Sequence, residues 1–263
     1  MKIDSNLKLA IFDLLVKINH LFTQKTTRKA HTNMMKKAAL IPAAGQGLRL
    51  GEGPKALLKI NGITLVEIVV SKVLPIVDEV IVAAPQGYED VFNELLPPAV
   101  SVISGGDCRW STVDKLIKAS QAKTLLIQNA ASPFASQQLI EKVILAAEET
   151  GAAGAFIQPS VPVGLLNHGK ITEYAPKETA LLFQTPQAFF RDILEKHHSV
   201  KERYQSTAQY VMAGGHSVES IQGEPDNFKI TNELDWEIAK KIIAPKLAND
   251  LTLNRTIRST ESA

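Results

Sequence analysis

Leu40-Ile41-Pro42-Ala43-Ala44-Gly45-Gln46-Gly47-Leu48-Arg49-Leu50-Gly51-Glu52-Gly53-Pro54-Lys55 is a glycine-punctuated run that leaves an apolar strand and carries two cations, Arg49 and Lys55, toward its far end. A loop of this composition suits a polyphosphate. Its glycines permit positive φ and close backbone approach, so successive N–H groups can turn toward phosphate oxygens while the two side chains add full charges. The run is neither Gly-x-x-x-x-Gly-Lys-Ser/Thr nor Gly-x-Gly-x-x-Gly, which removes the main support for a P-loop or a dinucleotide-binding fold.

Outward from this loop, short apolar runs alternate with helical patterns from Lys37 onward, which predicts a mostly parallel sheet flanked by helices. The expected strands are 38–42, 79–84, 100–104, 124–128 and 152–158, with helices over 67–74, 89–96, 112–119 and 136–150 between them. Parallel sheets bind ligands at the carboxyl ends of their strands, and polar punctuation follows Ile41, Ser104 and Ile127. The site is therefore expected to assemble from strand ends.

The 263 residues suit one large α/β domain, and 45% apolar content is ordinary for a globular core. Residues 1–34 are expected to be a non-core extension, 35–245 the body and 246–263 a polar tail. The formal net charge is +2, but residues 1–37 hold eight Lys or Arg against Asp4 and Asp13, which leaves the remainder at −4. Such a body offers no nucleic-acid surface. No apolar stretch approaches the ~18 residues of a membrane span, so stable membrane insertion is not expected. The single Cys108 excludes an internal disulfide framework and suits a reducing, cytoplasmic setting.

The pattern Ala43-Ala44-Gly45-x-Gly47-x-Arg49-x-Gly51-x-x-Pro54-Lys55 resembles the signature loop of nucleotidyltransferases with a glycosyltransferase-A-like, Rossmann-like fold. Among these it is most similar to the 2-C-methyl-D-erythritol 4-phosphate cytidylyltransferases and the related ribitol-phosphate enzymes. The resemblance runs from about Lys37 to Ile243. It implies transfer of CMP from CTP to a small polyol phosphate with release of pyrophosphate, Mg2+ as cofactor, and Pro42, Ala43, Ala44, Gly45 and Gly47 at the nucleotide.

Four further segments carry it. Gly105-Gly106-Asp107-Cys108-Arg109-Trp110-Ser111-Thr112-Val113 is similar to the family's Gly-Gly-x-x-Arg-x-x-Ser-Val, with Thr112 keeping the hydroxyl. Backbone groups at Gly106 and Asp107 and the Thr112 hydroxyl can read a cytosine edge, and Arg109 can reach the phosphates. Gln128-Asn129-Ala130-Ala131-Ser132-Pro133 stands where the family has His-Asp-Ala-Ala-Arg-Pro, so Asn129 replaces a metal-holding aspartate and Ser132 an arginine at the incoming phosphate. Gln184-Thr185-Pro186-Gln187-Ala188-Phe189 matches Gln-Thr-Pro-Gln-x-Phe, which puts Thr185 with the acceptor, on what reads locally as a Thr-Pro turn. Asp226-Asn227-Phe228-Lys229-Ile230-Thr231 resembles Asn-Ile-Lys-Ile-Thr, with Lys229 at the transferring phosphate and Asp226 as a second metal ligand. The expected catalytic groups are Arg49, Lys55 and Lys229.

Between Gln158 and Gln184 the family carries an arm that recognises the sugar-alcohol phosphate and interlocks two subunits. Here Ser160–Lys170 reads as a shortened arm without the family's Asp-Thr and Lys, which leaves the acceptor and homodimer formation open. A different acceptor, such as ribitol phosphate, a sugar 1-phosphate or a molybdopterin-type cofactor, and a nucleotide-binding protein without turnover are the competing readings.

Overall fold

Lys37–Pro42 forms β1, and Ala38, Ala39, Leu40 and Ile41 are fully buried because helices cover both faces of the sheet. A computed structural model describes residues 36–45, 53–196 and 204–243 of the chain. The N-terminal extension over 1–34 and the tail over 246–263 lie outside the described residues.

β1 is followed by a short hairpin, β2 (Lys59–Ile60) and β3 (Ile63–Thr64), and by α1 (Leu65–Val73). Thr64 starts α1 with a reciprocal cap, its hydroxyl accepting from Glu67 N while the Glu67 carboxylate accepts from Thr64 N. Then come β4 (Glu79–Ala84), α2 (Glu89–Leu95), β5 (Val100–Ser104), α3 (Arg109–Ala119), β6 (Thr124–Ile127), α4 (Gln137–Thr150) and β7 (Ala152–Ile157). Gly151 ends α4 with φ 87°, the left-handed position that glycine fills without a Cβ penalty.

After β7 the chain builds a hairpin, β8 (Val163–Asn167) and β9 (Lys170–Ala175), then β10 (Leu182–Phe190), α5 (Arg191–Glu195), α6 (Thr207–Ala213), β11 (Glu219–Gln222) and α7 (Glu233–Ile238). The seven-stranded sheet runs β11-β7-β10-β6-β1-β4-β5. β10 is antiparallel to both of its neighbours, and every other pairing is parallel. Side chains of α1, α2 and α4 form the core on one face; those of α3, α5 and α6 form it on the other. A smaller cluster joins Leu58, Ile60 and Phe134 to Ile230 and Trp236.

The strands and helices expected up to Ile157 are present with one local difference, and a second difference lies beyond them. α3 begins at Arg109 rather than Thr112, because Cys108 Sγ accepts from Ser111 N at 3.4 Å and Ser111 Oγ accepts from Cys108 N at 3.1 Å. A thiol is a rare cap, so the sequence signals no start there. Gln184–Gln187 is not a turn. It lies inside β10, where the pairing with β7 shifts register between Phe183 and Gln187 and the Thr185–Pro186 peptide is cis.

Candidate active site

The chain order of the sheet reverses at β1, which pairs with β4 on one side and β6 on the other, so the carboxyl ends of these strands open onto a common crevice. Four loops leave there. After β1, Ala43 N donates to Ala83 O at 3.0 Å, and Lys55 N donates to Gly45 O at 3.2 Å, which closes the glycine loop and returns Lys55 to its start. After β5, Gly105 N donates to Ala84 O at 2.8 Å. A Cβ on Gly105 would fall 2.4 Å from Ala44 Cβ and 2.9 Å from Ala84 O, so only glycine lets the two loops meet. Gly105→Ala is expected to cost about 1–3 kcal/mol of stability, the usual penalty of overpacking, and to weaken nucleotide binding; urea unfolding and calorimetry read both.

The hydroxyl of Thr112 accepts from Gly106 N at 3.0 Å, while the carbonyls of Cys108 (3.0 Å) and Gly106 (3.3 Å) compete for its single hydrogen. Its first task is thus to shape the Gly106–Cys108 turn. After β6, Ala130 N reaches Pro42 O at 3.4 Å and Ser132 N donates to Asn129 O at 3.0 Å, which folds the Asn129–Ser132 turn back against β1.

Between these loops lies a cavity of about 520 Å³, in the range of small-molecule sites. Pro42, Ala43, Ala44, Gly45, Lys55, Gly106, Asp107, Arg109, Thr112, Asn129 and Lys229 all line it. The Lys55 ammonium also donates to Ile230 O at 2.8 Å, across 175 positions of sequence. The Arg109 guanidinium donates from Nη2 to Thr207 Oγ1 at 3.3 Å, and its burial pulls the pKa below the ordinary arginine value. Two lysines and an arginine thus line one crevice, an arrangement suited to a polyanion.

The sequence profile of the 2-C-methyl-D-erythritol 4-phosphate cytidylyltransferases matches residues 37–245. The chain belongs to this family. The cytidylyltransferase of Thermus thermophilus is 36% identical over 220 residues, covering 79% of this chain and 97% of that protein. That of Deinococcus radiodurans is 35% identical over 218 residues, covering 81% and 91%. The crystal structure of the Thermus thermophilus enzyme superimposes with a TM-score of 0.66 at 32% identity, over 80% of this chain and all of that one. The synthase structure from Anaerococcus prevotii gives 0.71 at 23% identity and bears on the fold alone.

Three residues expected at this cytidylyltransferase site do not line the cavity. Ser132 and Thr185 are 4% and 5% exposed, and the backbone carbonyl of each is used inside the protein, accepting from Gln128 Nε2 and Asn227 Nδ2 respectively. Asp226 is exposed on a turn closed by Asn227 N donating to Glu224 O, a turn that aims Asn227 inward and Asp226 outward. Gly47 and Arg49 lie outside the described residues.

Pro85, Gln86 and Cys108 line the cavity without having been expected there. The position of Pro85 and Gln86 directly after β4 is the available signal, since the ends of β1, β5 and β6 at the crevice all belong to the expected site.

Proposed function

We infer that the chain transfers CMP from CTP to 2-C-methyl-D-erythritol 4-phosphate and releases pyrophosphate. The observation that carries this reading is the convergence of Lys55 and Lys229 on the crevice where the loops after β1, β5 and β6 meet. The chemistry needs no protein nucleophile, because a phosphate monoester is mostly dianionic near pH 7, its second pKa being about 6. An oxygen of the acceptor phosphate forms the new bond to the α-phosphorus. The bond from that phosphorus to the bridging oxygen breaks, and the electron pair leaves with pyrophosphate. The protein's part is to align the two phosphates and to neutralise charge as it builds on the α-phosphate and the leaving group. Lys55, Lys229 and Arg109 supply the positive charge, and the N–H groups after β1 and β5 supply the cradle.

The family implies a metal ion. Among the described residues no three His, Cys, Asp or Glu side chains gather, and the cavity offers the Asn129 amide oxygen and the Asp107 carboxylate. That set fits Mg2+, which keeps waters and takes substrate phosphates with one or two protein oxygens rather than a protein cage. Asn129 would hold it, with Asp107 within the same crevice, and the ion would add positive charge at the phosphates when bound.

The hairpin of β8 and β9 turns through His168 and Gly169, both at positive φ (46° and 77°), the two-residue connection whose twist matches its strands. It exposes Leu166 (73%), Ile171 (75%) and Tyr174 (73%). A lone two-stranded ribbon with an apolar surface gains stability by being covered, and we assign that surface to a second copy of this chain. Ile171→Glu is expected to shift sedimentation from dimer to monomer; a monomeric wild-type protein would remove the assignment. Residues 35–245 then form the catalytic domain, 1–34 a non-core extension and 246–263 a tail. Among the described residues no helix is long and apolar enough to cross a membrane, and we assign the enzyme to the cytoplasm.

Purified protein with CTP, Mg2+ and 2-C-methyl-D-erythritol 4-phosphate is expected to release pyrophosphate. Calorimetric uptake of CTP without release would overturn transfer to this acceptor. A screen of ribitol phosphate and sugar 1-phosphates would then separate another acceptor from a binding protein without turnover.

A further inference from the structure

Lys229 sits on a stretch, residues 223–231, that has neither helix nor strand of its own, so contacts from elsewhere must fix its backbone. One side chain makes three of them. Gln184 Nε2 donates to Glu224 O and to Asn227 O, both at 2.9 Å, and its Oε1 accepts from Glu224 N at 3.1 Å. A primary amide has two N–H donors and one carbonyl, and here both functions close on the two ends of a single turn.

The neighbouring contacts are arranged around this grip. Asn227 Nδ2 donates to Thr185 O at 2.7 Å, and Gly223 N donates to Phe156 O at 2.7 Å. The Glu224 carboxylate accepts from Ser136 N at 3.0 Å and from the Ser136 hydroxyl, which ties the turn to the start of α4. Beyond Lys229, Ile230 N donates to Ala131 O at 2.8 Å and Ile230 O accepts from Lys55. Lys229 is thereby bracketed, by β10 through Asn227 on one side and by the loop after β6 on the other.

Gly223 belongs to the same device. A Cβ there would stand 2.2 Å from Gln184 Oε1 and 3.0 Å from Phe156 O. The Gln184 amide could yield to it only by giving up its bonds to the turn.

We propose that Gln184 is a positioning residue for Lys229, acting through the Glu224–Asn227 turn rather than by touching substrate. Gln184→Glu keeps the shape but aims a carboxylate oxygen at two carbonyls, and Gly223→Ala displaces the amide from the other side. Because the bracket at Ile230 stays in place, the expected result is a displaced Lys229 on a folded protein. A misplacement of about 1 Å at a reacting centre costs on the order of 10²-fold, so a fall in kcat of about 10- to 100-fold is expected, with calorimetric CTP affinity changed less than about 3-fold.

The proposal rests on the transferase reading, and the experiment separates the two. Pyrophosphate release is measured for the wild type, Gln184→Glu, Gly223→Ala and Lys229→Ala, and for Gln184→Glu combined with Lys229→Ala. Amide hydrogen exchange at Asn227 and Ile230 is followed alongside. Positioning predicts that Gln184→Glu costs less than about 3-fold once Lys229 is gone, and that exchange at Asn227 rises while that at Ile230 holds. The same fold-loss with and without Lys229, or an unchanged kcat in both Gln184→Glu and Gly223→Ala, would overturn it. If one of these variants does not fold, the other carries the same comparison. A wild-type protein without turnover would instead overturn the transferase reading, and unchanged exchange at Asn227 in Gln184→Glu would then remove the clamp as well.

Discussion

Lys229→Ala is expected to lower kcat for pyrophosphate release by about 10²- to 10³-fold, the cost of losing one preorganised charge at developing negative charge. CTP affinity should fall by less than about 10-fold. The reason for the split is that Lys229 reaches the crevice from the 223–231 segment, whereas in the proposed reading the loops after β1 and β5, which line the other side of the cavity, hold the nucleotide. An interaction that strengthens toward the transition state shows in kcat, while one made equally in the ground state shows in binding. Steady-state release together with calorimetry checks both numbers. An unchanged kcat would take Lys229 out of the reaction.

Lys55→Ala is expected to cost at least ~10²-fold in kcat/KM and to differ from Lys229→Ala in two respects. CTP binding should weaken by about 10-fold, because Lys55 begins the turn whose N–H closes the glycine loop on Gly45. Stability should fall by about 1.5–3 kcal/mol, the worth of a hydrogen bond from a charged donor, because its ammonium holds the Ile230 carbonyl. The double variant should lose less than the product of the two single losses, since both residues act on one segment. Thermal unfolding and calorimetry check these expectations, and an unaltered CTP affinity would place Lys55 outside the phosphate cradle.

Much of this architecture was legible because parallel strands buried on both faces read as continuous apolar runs. Ala38–Ile41, Glu79–Ala84 and Thr124–Ile127 carry that signal directly, and each is followed by the loop that lines the cavity. The His168-Gly169 hairpin was less visible because its two-residue turn is not one of the Asn-Gly or Asp-Gly pairs that mark such connections. The outward aim of Asp226 and the burial of Ser132 and Thr185 could not be read locally. They depend on where residues 223–231 are pinned, and the pins come from Gln184, Phe156 and Ser136, which lie between 40 and 88 positions away. Motif similarity brought these residues near the same site. Only the long-range bonds decide which side of the wall each one occupies.

The reversed direction of β10 has a mechanical consequence. Its early residues grip the Lys229 turn, while just past its end Arg191 donates to the carbonyls of Ile117, Ser120 and Ala122, at the far end of the helix whose first turn borders the cavity. One strand, bonded to β6 and β7 along its two edges, therefore carries both sets of contacts. The Lys229 turn and the C-terminal end of α3 are thereby fixed to opposite ends of one strand, so that moving one against the other would strain the sheet between them.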